Sequence, residues 1–274
     1  MKVFKYWVKQ EQSTRHDEGY HYMLACWGGS NESVEDASQI AHSKLENLIG
    51  KFKRNDVLDD YEYGKEIREL LVGEIHNSQG ELIAAITRNR YGALVLNSRN
   101  TFIADIDNEL PGCLSIFSSR QNLQDNLFQQ IEDFSRAHRE LGIRLYKTHS
   151  GLRLFITSED IPTSDQRAKQ FLKELNSDYL YQTLCFKQEC YRARLTPKPW
   201  RIGLARPSKT LPDMNDEEWA TYTQWLNDYE ESSQGRGVCH LVNTWGPSSM
   251  NDETKSIINM HDEHALCEES IELA

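Results

Sequence analysis

The chain has 274 residues, 38% of them hydrophobic and 27% charged, with 15 Gly and 7 Pro. That composition suits a globular protein with a sizeable core and excludes collagen-like and low-complexity architectures. The formal net charge of −11 argues against a surface that binds nucleic acid throughout, because phosphate contacts need local positive charge.

The charge is uneven. Residues 187–209 hold Lys187, Arg192, Arg194, Lys198, Arg201, Arg206 and Lys209 against a single acid, Glu189, with Tyr191 and Trp200 interleaved. Such a segment fits either a solvated strand edge or a surface facing the phosphates of a nucleotide or nucleic acid. No run approaches the ~18 apolar residues of a membrane-spanning helix, so no membrane partner is expected. The opening MKVFKYWVKQEQ lacks the apolar stretch of a signal peptide, and the six cysteines (26, 113, 185, 190, 239 and 267) form no CxxC. The expectation is a cytoplasmic protein with reduced thiols.

In chain order, Val3–Val8 and Tyr20–Trp27 read as paired strands, the second broken by Gly28-Gly29. Ser33 caps a helix whose stripe is Ala37, Ile40, Ala41, Leu45, Leu48 and Phe52. A short helix is expected around 65–72. Glu81–Thr87, Ala93–Leu96 and Thr101–Ile106 read as strands, the last two joined as a hairpin through Asn97–Asn100. Leu123, Leu127, Ile131, Phe134 and Leu141 mark a long amphipathic helix ended by Gly142. Ile143–Lys147 and Leu152–Thr157 form a second hairpin around His149-Ser150-Gly151, and Pro162 introduces another helix. A short helix over Asp178–Leu184, a strand over Glu189–Leu195, a helix capped by Asn215 and Glu218, a strand over Val238–Asn243 and a helix over Asp252–Glu269 complete the reading. The order implies an α+β fold, a mainly antiparallel sheet with helices packed on one face. Residues 1–80 form an N-terminal addition, 81–210 the core and 211–274 a C-terminal helical extension.

Three segments can carry chemistry. In Phe102–Asp107 an apolar strand ends in Asp-x-Asp, and the period of two points Asp105 and Asp107 the same way. Adjacent carboxylates repel, and a hard divalent cation such as Mg²⁺ or Mn²⁺, shared with phosphate oxygens, answers that repulsion. A strand end whose acids merely reach solvent has the same pattern. In 146–155, Ser150-Gly151 opens a strand carrying Arg153, with Lys147 and His149 beside it; turn N–H groups and an arginine can hold phosphate. In 189–194 alternation puts Arg192 and Arg194 on one face and Glu189 with Tyr191 on the other. His261, His264 and Cys267 permit a zinc site with Cys239 and His240, although a polar helix face explains them better.

Together these segments resemble the archaeo-eukaryotic primase (primase-polymerase) superfamily. The likeness rests on FIADID, on SGLRLFI and on KQECYRARLTPKPWRIG, and it covers roughly residues 81–205. The resemblance implies an RRM-like sheet, a nucleic-acid template, DNA binding and metal-dependent nucleotidyl or phosphoryl transfer. It makes Asp105 and Asp107 catalytic and metal-binding, with Glu189 as third ligand. It gives Lys147, Ser150, Gly151, Arg153, Arg192 and Arg194 to the nucleotide phosphates. Arg153 stands where the family has a His, and the family's frequent zinc cluster is absent. Two alternatives stay open: an inactive nucleotide- or nucleic-acid-binding module of the same fold, and a metal-dependent phosphodiester hydrolase.

Overall fold

The computed structural model describes residues 1–15, 20–56, 67–107, 120–209, 212 and 214–274. Cys113 and part of the helix expected over 65–72 lie outside them. The chain divides into two compact units. The smaller joins Val3–Leu71 with Pro207–Thr223, and the larger joins Met1–Lys2, Val72–Arg206 and Gln224–Ala274.

In the smaller unit β1 (Tyr6–Arg15) and β2 (His21–Ser30) form an antiparallel ribbon, Tyr6 opposite Ser30 and Arg15 opposite His21. Helix α1 (Val34–Lys53) starts where the Ser33 hydroxyl accepts the Asp36 N–H at 3.0 Å, which satisfies a donor the helix itself cannot. Ala37, Ala41, Leu45 and Leu48 are its buried stripe. The expected break at Gly28-Gly29 does not occur, and both residues lie inside β2. A Cβ on Gly28 would stand 1.9 Å from the Ala37 carbonyl oxygen, so the glycine serves a close helix–strand approach rather than a turn.

The larger unit is α+β with antiparallel pairing, and its strands form two sheets. One has the order β3 (Leu70–His76), β4 (Leu82–Arg88), β5 (Leu94–Ser98), β9 (Tyr191–Arg194). The other runs β10 (Cys239–Trp245), β7 (Ile143–Thr148), β8 (Gly151–Ile156), β6 (Ile103–Asp107). With the ribbon that makes three sheets where the element order suggested one.

The hairpin expected between β5 and β6 is absent. Both edges of β5 are taken, by β4 and β9, while β6 pairs with β8, so Arg99–Phe102 carry the chain from one sheet to the other. The Ser98 hydroxyl accepts the Thr101 N–H at 3.1 Å in that crossing. Leu70–His76 is a strand rather than the end of a helix, with burial alternating along it. The strand expected over Val238–Asn243 forms as β10 and takes the edge of a sheet, so the 211–274 extension is not helical throughout.

Helices α2 (Arg120–Ala137), α3 (Gln166–Glu174), α4 (Tyr179–Gln188), α5 (Asp216–Ser233) and α6 (Asp252–Ala265) complete the six α-helices among the described residues. Asp165, Asp178 and Asn251 cap α3, α4 and α6 through their side chains. Asn215 and Glu218 exchange side-chain-to-backbone bonds at 2.9 and 3.1 Å, the reciprocal cap read from the sequence. One apolar cluster includes Leu96, Ile103, Leu154, Phe134, Phe171 and Ile258, drawn from both sheets and from α2, α3 and α6. β4 and β8 are buried on both faces along nearly their whole length. Among the described residues no helix is long and apolar enough to cross a membrane.

Candidate functional site

Strand β6 buries Ala104 and Ile106 on one face, and Asp105 and Asp107 follow the buried Ile103 along the other, at the strand's end. Asp105 lies opposite Arg153 of β8, and Asp107 opposite Gly151. Directly opposed residues share a sheet face, so Asp105 and Arg153 meet. Arg153 Nε stands 3.6 Å from Asp105 Oδ1; the arginine is 2% exposed and the aspartate 37%. Gly151 is required at the turn, because a Cβ there would lie 2.1 Å from the Ile106 carbonyl oxygen. The neighbouring Ser150 hydroxyl accepts a hydrogen bond from Arg201 Nη2 at 2.5 Å.

The Arg153 guanidinium is clamped along one edge. Nη1 donates to the Arg194 carbonyl at 2.9 Å and to His261 Nε2 at 3.2 Å. Its Nε is buried with no hydrogen-bond partner. His261 is wholly buried on α6, and its Nδ1 lies 2.9 Å from Asp262 Oδ1. Asp262 also accepts from Arg144 Nη2 at 2.6 Å and from the Tyr146 hydroxyl at 2.8 Å. A continuous polar chain thus runs from Asp262 through His261 and Arg153 towards Asp105.

The cations that follow β9 join this neighbourhood. Arg194 Nη1 donates to the Thr196 carbonyl at 3.1 Å. Burial first, then the charges of Arg153 and Arg201, push its pKa down to about 10, so it stays charged at neutral pH. Burial lowers the Lys198 ammonium too, as do Arg194 and Arg201, while Asp107 and Asp105 pull it back up. Arg194 and Lys198 thus feel the charges of Asp105 and of Arg201.

Beside them, 42% of Trp200 is exposed. It meets Tyr91 edge-on at 5.2 Å, and the Arg206 guanidinium lies over both rings, at 4.5 and 4.8 Å.

Three expected site residues go elsewhere. Glu189 ends α4 in the left-handed region (φ 54°) instead of opening β9, and its carboxylate pairs with Lys2 Nζ at 2.8 Å. The hydrogen bond from Lys2 holds that carboxyl below its usual range. Lys147 lies opposite Leu152, on the sheet face away from Arg153. Arg192 is buried, and its Nη1 donates to Gln188 Oε1 at the end of α4.

Sequence reasoning passed over Lys198 and Arg201 as individuals, because the period-two argument stops where β9 stops. It also took His261 and Asp262 for a polar helix face. An apolar stripe of Ile257, Ile258, His261 and Ala265, all buried on α6, was the signal available.

Among the described residues no group of three or more His, Cys, Asp or Glu side chains could hold a metal ion. His261 Nε2 is 4.0 Å from Cys239 Sγ, and His264 bonds the Met260 carbonyl, so the zinc alternative finds no cluster. Asp105 and Asp107 are two carboxylates, fewer than the roughly six oxygen ligands that Mg²⁺ or Mn²⁺ takes. Set against protein-family models, curated proteins and solved structures, the chain gives no match in any of the three.

Proposed function

We propose that this protein carries out metal-dependent nucleotidyl or phosphoryl transfer on nucleotides or nucleic acid, in the manner of the primase-polymerases its motifs resemble. The observation that carries this reading is the meeting of Asp105 with Arg153, which grips the Arg194 carbonyl, with Lys198 and Arg201 in the segment that follows. Asp105 and Asp107 would hold Mg²⁺ or Mn²⁺, which supplies Lewis-acid stabilisation of charge on phosphate oxygens. The chain's own cations do the remaining electrostatic work. Arg201 is oriented by Ser150, Arg194 is held over the β9 exit, and Lys198 lies between the acids and the exposed Trp200. Positioned cations of this kind stabilise phosphoryl transfer without covalent chemistry by the protein. Arg206 and Lys198 lie over the Trp200 ring, at 4.5 and 5.7 Å, so a base that stacked there would displace one of these cations towards its backbone. A cytoplasmic setting, in which the cysteines stay reduced, belongs to the same reading.

The test is Mn²⁺-dependent incorporation of labelled nucleotide on a primed template, wild type against the double change Asp105→Ala, Asp107→Ala. Incorporation by the wild type, lost to background in the double variant, is expected. The small donor set favours a second reading, a binding module without turnover. That reading predicts salt-sensitive binding that survives the double change, with no incorporation by the wild type. Metal-dependent cleavage without added nucleotide would assign the site to a hydrolase. A wild type that neither binds nor turns over nucleotide or nucleic acid removes the proposal altogether.

A further inference from the structure

The charges in this site do not balance. Asp105 and Asp107 bring two negative charges, while Arg153, Arg194, Lys198 and Arg201 bring four positive ones. Asp178, whose N–H bonds the Asp105 carbonyl and whose carboxylate accepts the Tyr181 N–H at 2.7 Å, adds a third negative charge nearby, and the four cations still outnumber the acids. An arginine cannot shed its proton at any ordinary pH. Arg153 is fixed by His261 and by the Arg194 carbonyl, and it stands 3.6 Å from Asp105, where it already supplies the positive charge a metal ion would bring.

A divalent cation arriving alone therefore meets a net positive field, whereas a polyphosphate meets its complement. The buried Arg153 Nε–H points the same way: it lies in ion-pair range of Asp105 Oδ1 at 3.6 Å but makes no hydrogen bond. Proteins seldom leave such a donor unpaired, and a phosphate oxygen entering beside Asp105 would satisfy it.

We propose that the acid pair belongs to an anion site before it belongs to a metal site. The site takes the polyphosphate of a nucleotide without any divalent cation, and the metal joins only in company with that polyphosphate. This rests on the proposed function for the location of the ligand, but it needs no turnover.

Isothermal titration of the full chain with inorganic tripolyphosphate in EDTA, with MnCl₂ alone, and with MnCl₂ after tripolyphosphate saturation separates the cases. Tripolyphosphate should bind in EDTA and weaken steeply with salt. Mn²⁺ alone should give no binding, and Mn²⁺ should bind the saturated protein. Asp107→Asn should tighten tripolyphosphate binding in EDTA by about threefold or more, because a repelling charge is removed. Lys198→Gln, at a partly exposed position, should weaken it by about tenfold. Tight Mn²⁺ binding alone, with tripolyphosphate silent until Mn²⁺ is present, overturns the proposed order and leaves the proposed function standing. Weaker tripolyphosphate binding by Asp107→Asn in EDTA also counts against the order. No binding in any combination overturns both.

Discussion

Acid should loosen this protein through His261. The ring is wholly buried. Arginine can only donate, so His261 Nε2 accepts from Arg153 and Nδ1 carries the single proton towards Asp262. Burial above all, helped by the charge of Arg153, pushes the imidazole down to about 4 against the opposing pull of Asp262. In the unfolded chain it titrates near 6.5.

Above that pH the imidazole is neutral in both states, and its contribution to stability is whole. As the pH falls, the unfolded chain takes up the proton first, so stability is lost between about 6.5 and 4. At about 1.4 kcal/mol per pH unit, the full loss is about 3 kcal/mol. Urea unfolding from pH 7.5 to 4.5 measures it, with His261→Gln as comparison. Gln keeps one acceptor and one donor but cannot titrate. The variant should begin less stable and then lose about 2.5 kcal/mol less than the wild type over the same range. Parallel curves would refute the reasoning, since carboxylates elsewhere contribute equally to both proteins.

Three further outcomes follow from the geometry. Gly151→Ala drives a methyl group into the Ile106 carbonyl and should cost about 1–3 kcal/mol in thermal or urea unfolding, with β6 and β8 losing amide protection first. Trp200→Ala should leave tripolyphosphate affinity within about twofold of wild type while weakening a nucleotide or short single strand about tenfold, read by fluorescence anisotropy. Glu189→Ala should leave Mn²⁺-dependent incorporation within about twofold of wild type. Its partner is Lys2, and an exposed pair of that kind is worth less than about 1 kcal/mol to the fold.

The sequence spoke clearly wherever one local rule decided the outcome. The Ser33 and Asn215 caps, the alternation in FIADID and the β7–β8 hairpin all depend on neighbours within a few residues. The Asp105–Arg153 meeting was half legible. Alternation fixed which way each residue points, but only the β6–β8 register brings them face to face. Long-range pairing hid the rest. Asn97–Asn100 has the composition of a turn, yet β5 was already flanked on both sides, so the chain had to cross sheets. Glu189 looked like strand until the left-handed residue that ends α4 claimed it. His261 looked polar, because nothing local says that a histidine will lie beneath Arg153, more than a hundred positions earlier.

Tyr181 decides how far apart the two sets of charges stand. The acids ride on β6 and the strongest cations on β9 and just beyond, in different sheets that share no backbone ladder. Two polar rivets join those strands. The Tyr181 hydroxyl donates to the Ile103 carbonyl at 2.7 Å and receives the Arg192 N–H at 3.4 Å, and Arg153 grips the Arg194 carbonyl. The gap between these jaws is therefore gauged by one phenol and one guanidinium. A relative that shortened or removed the Tyr181 rivet would alter the span offered to a ligand without touching a single residue that contacts it.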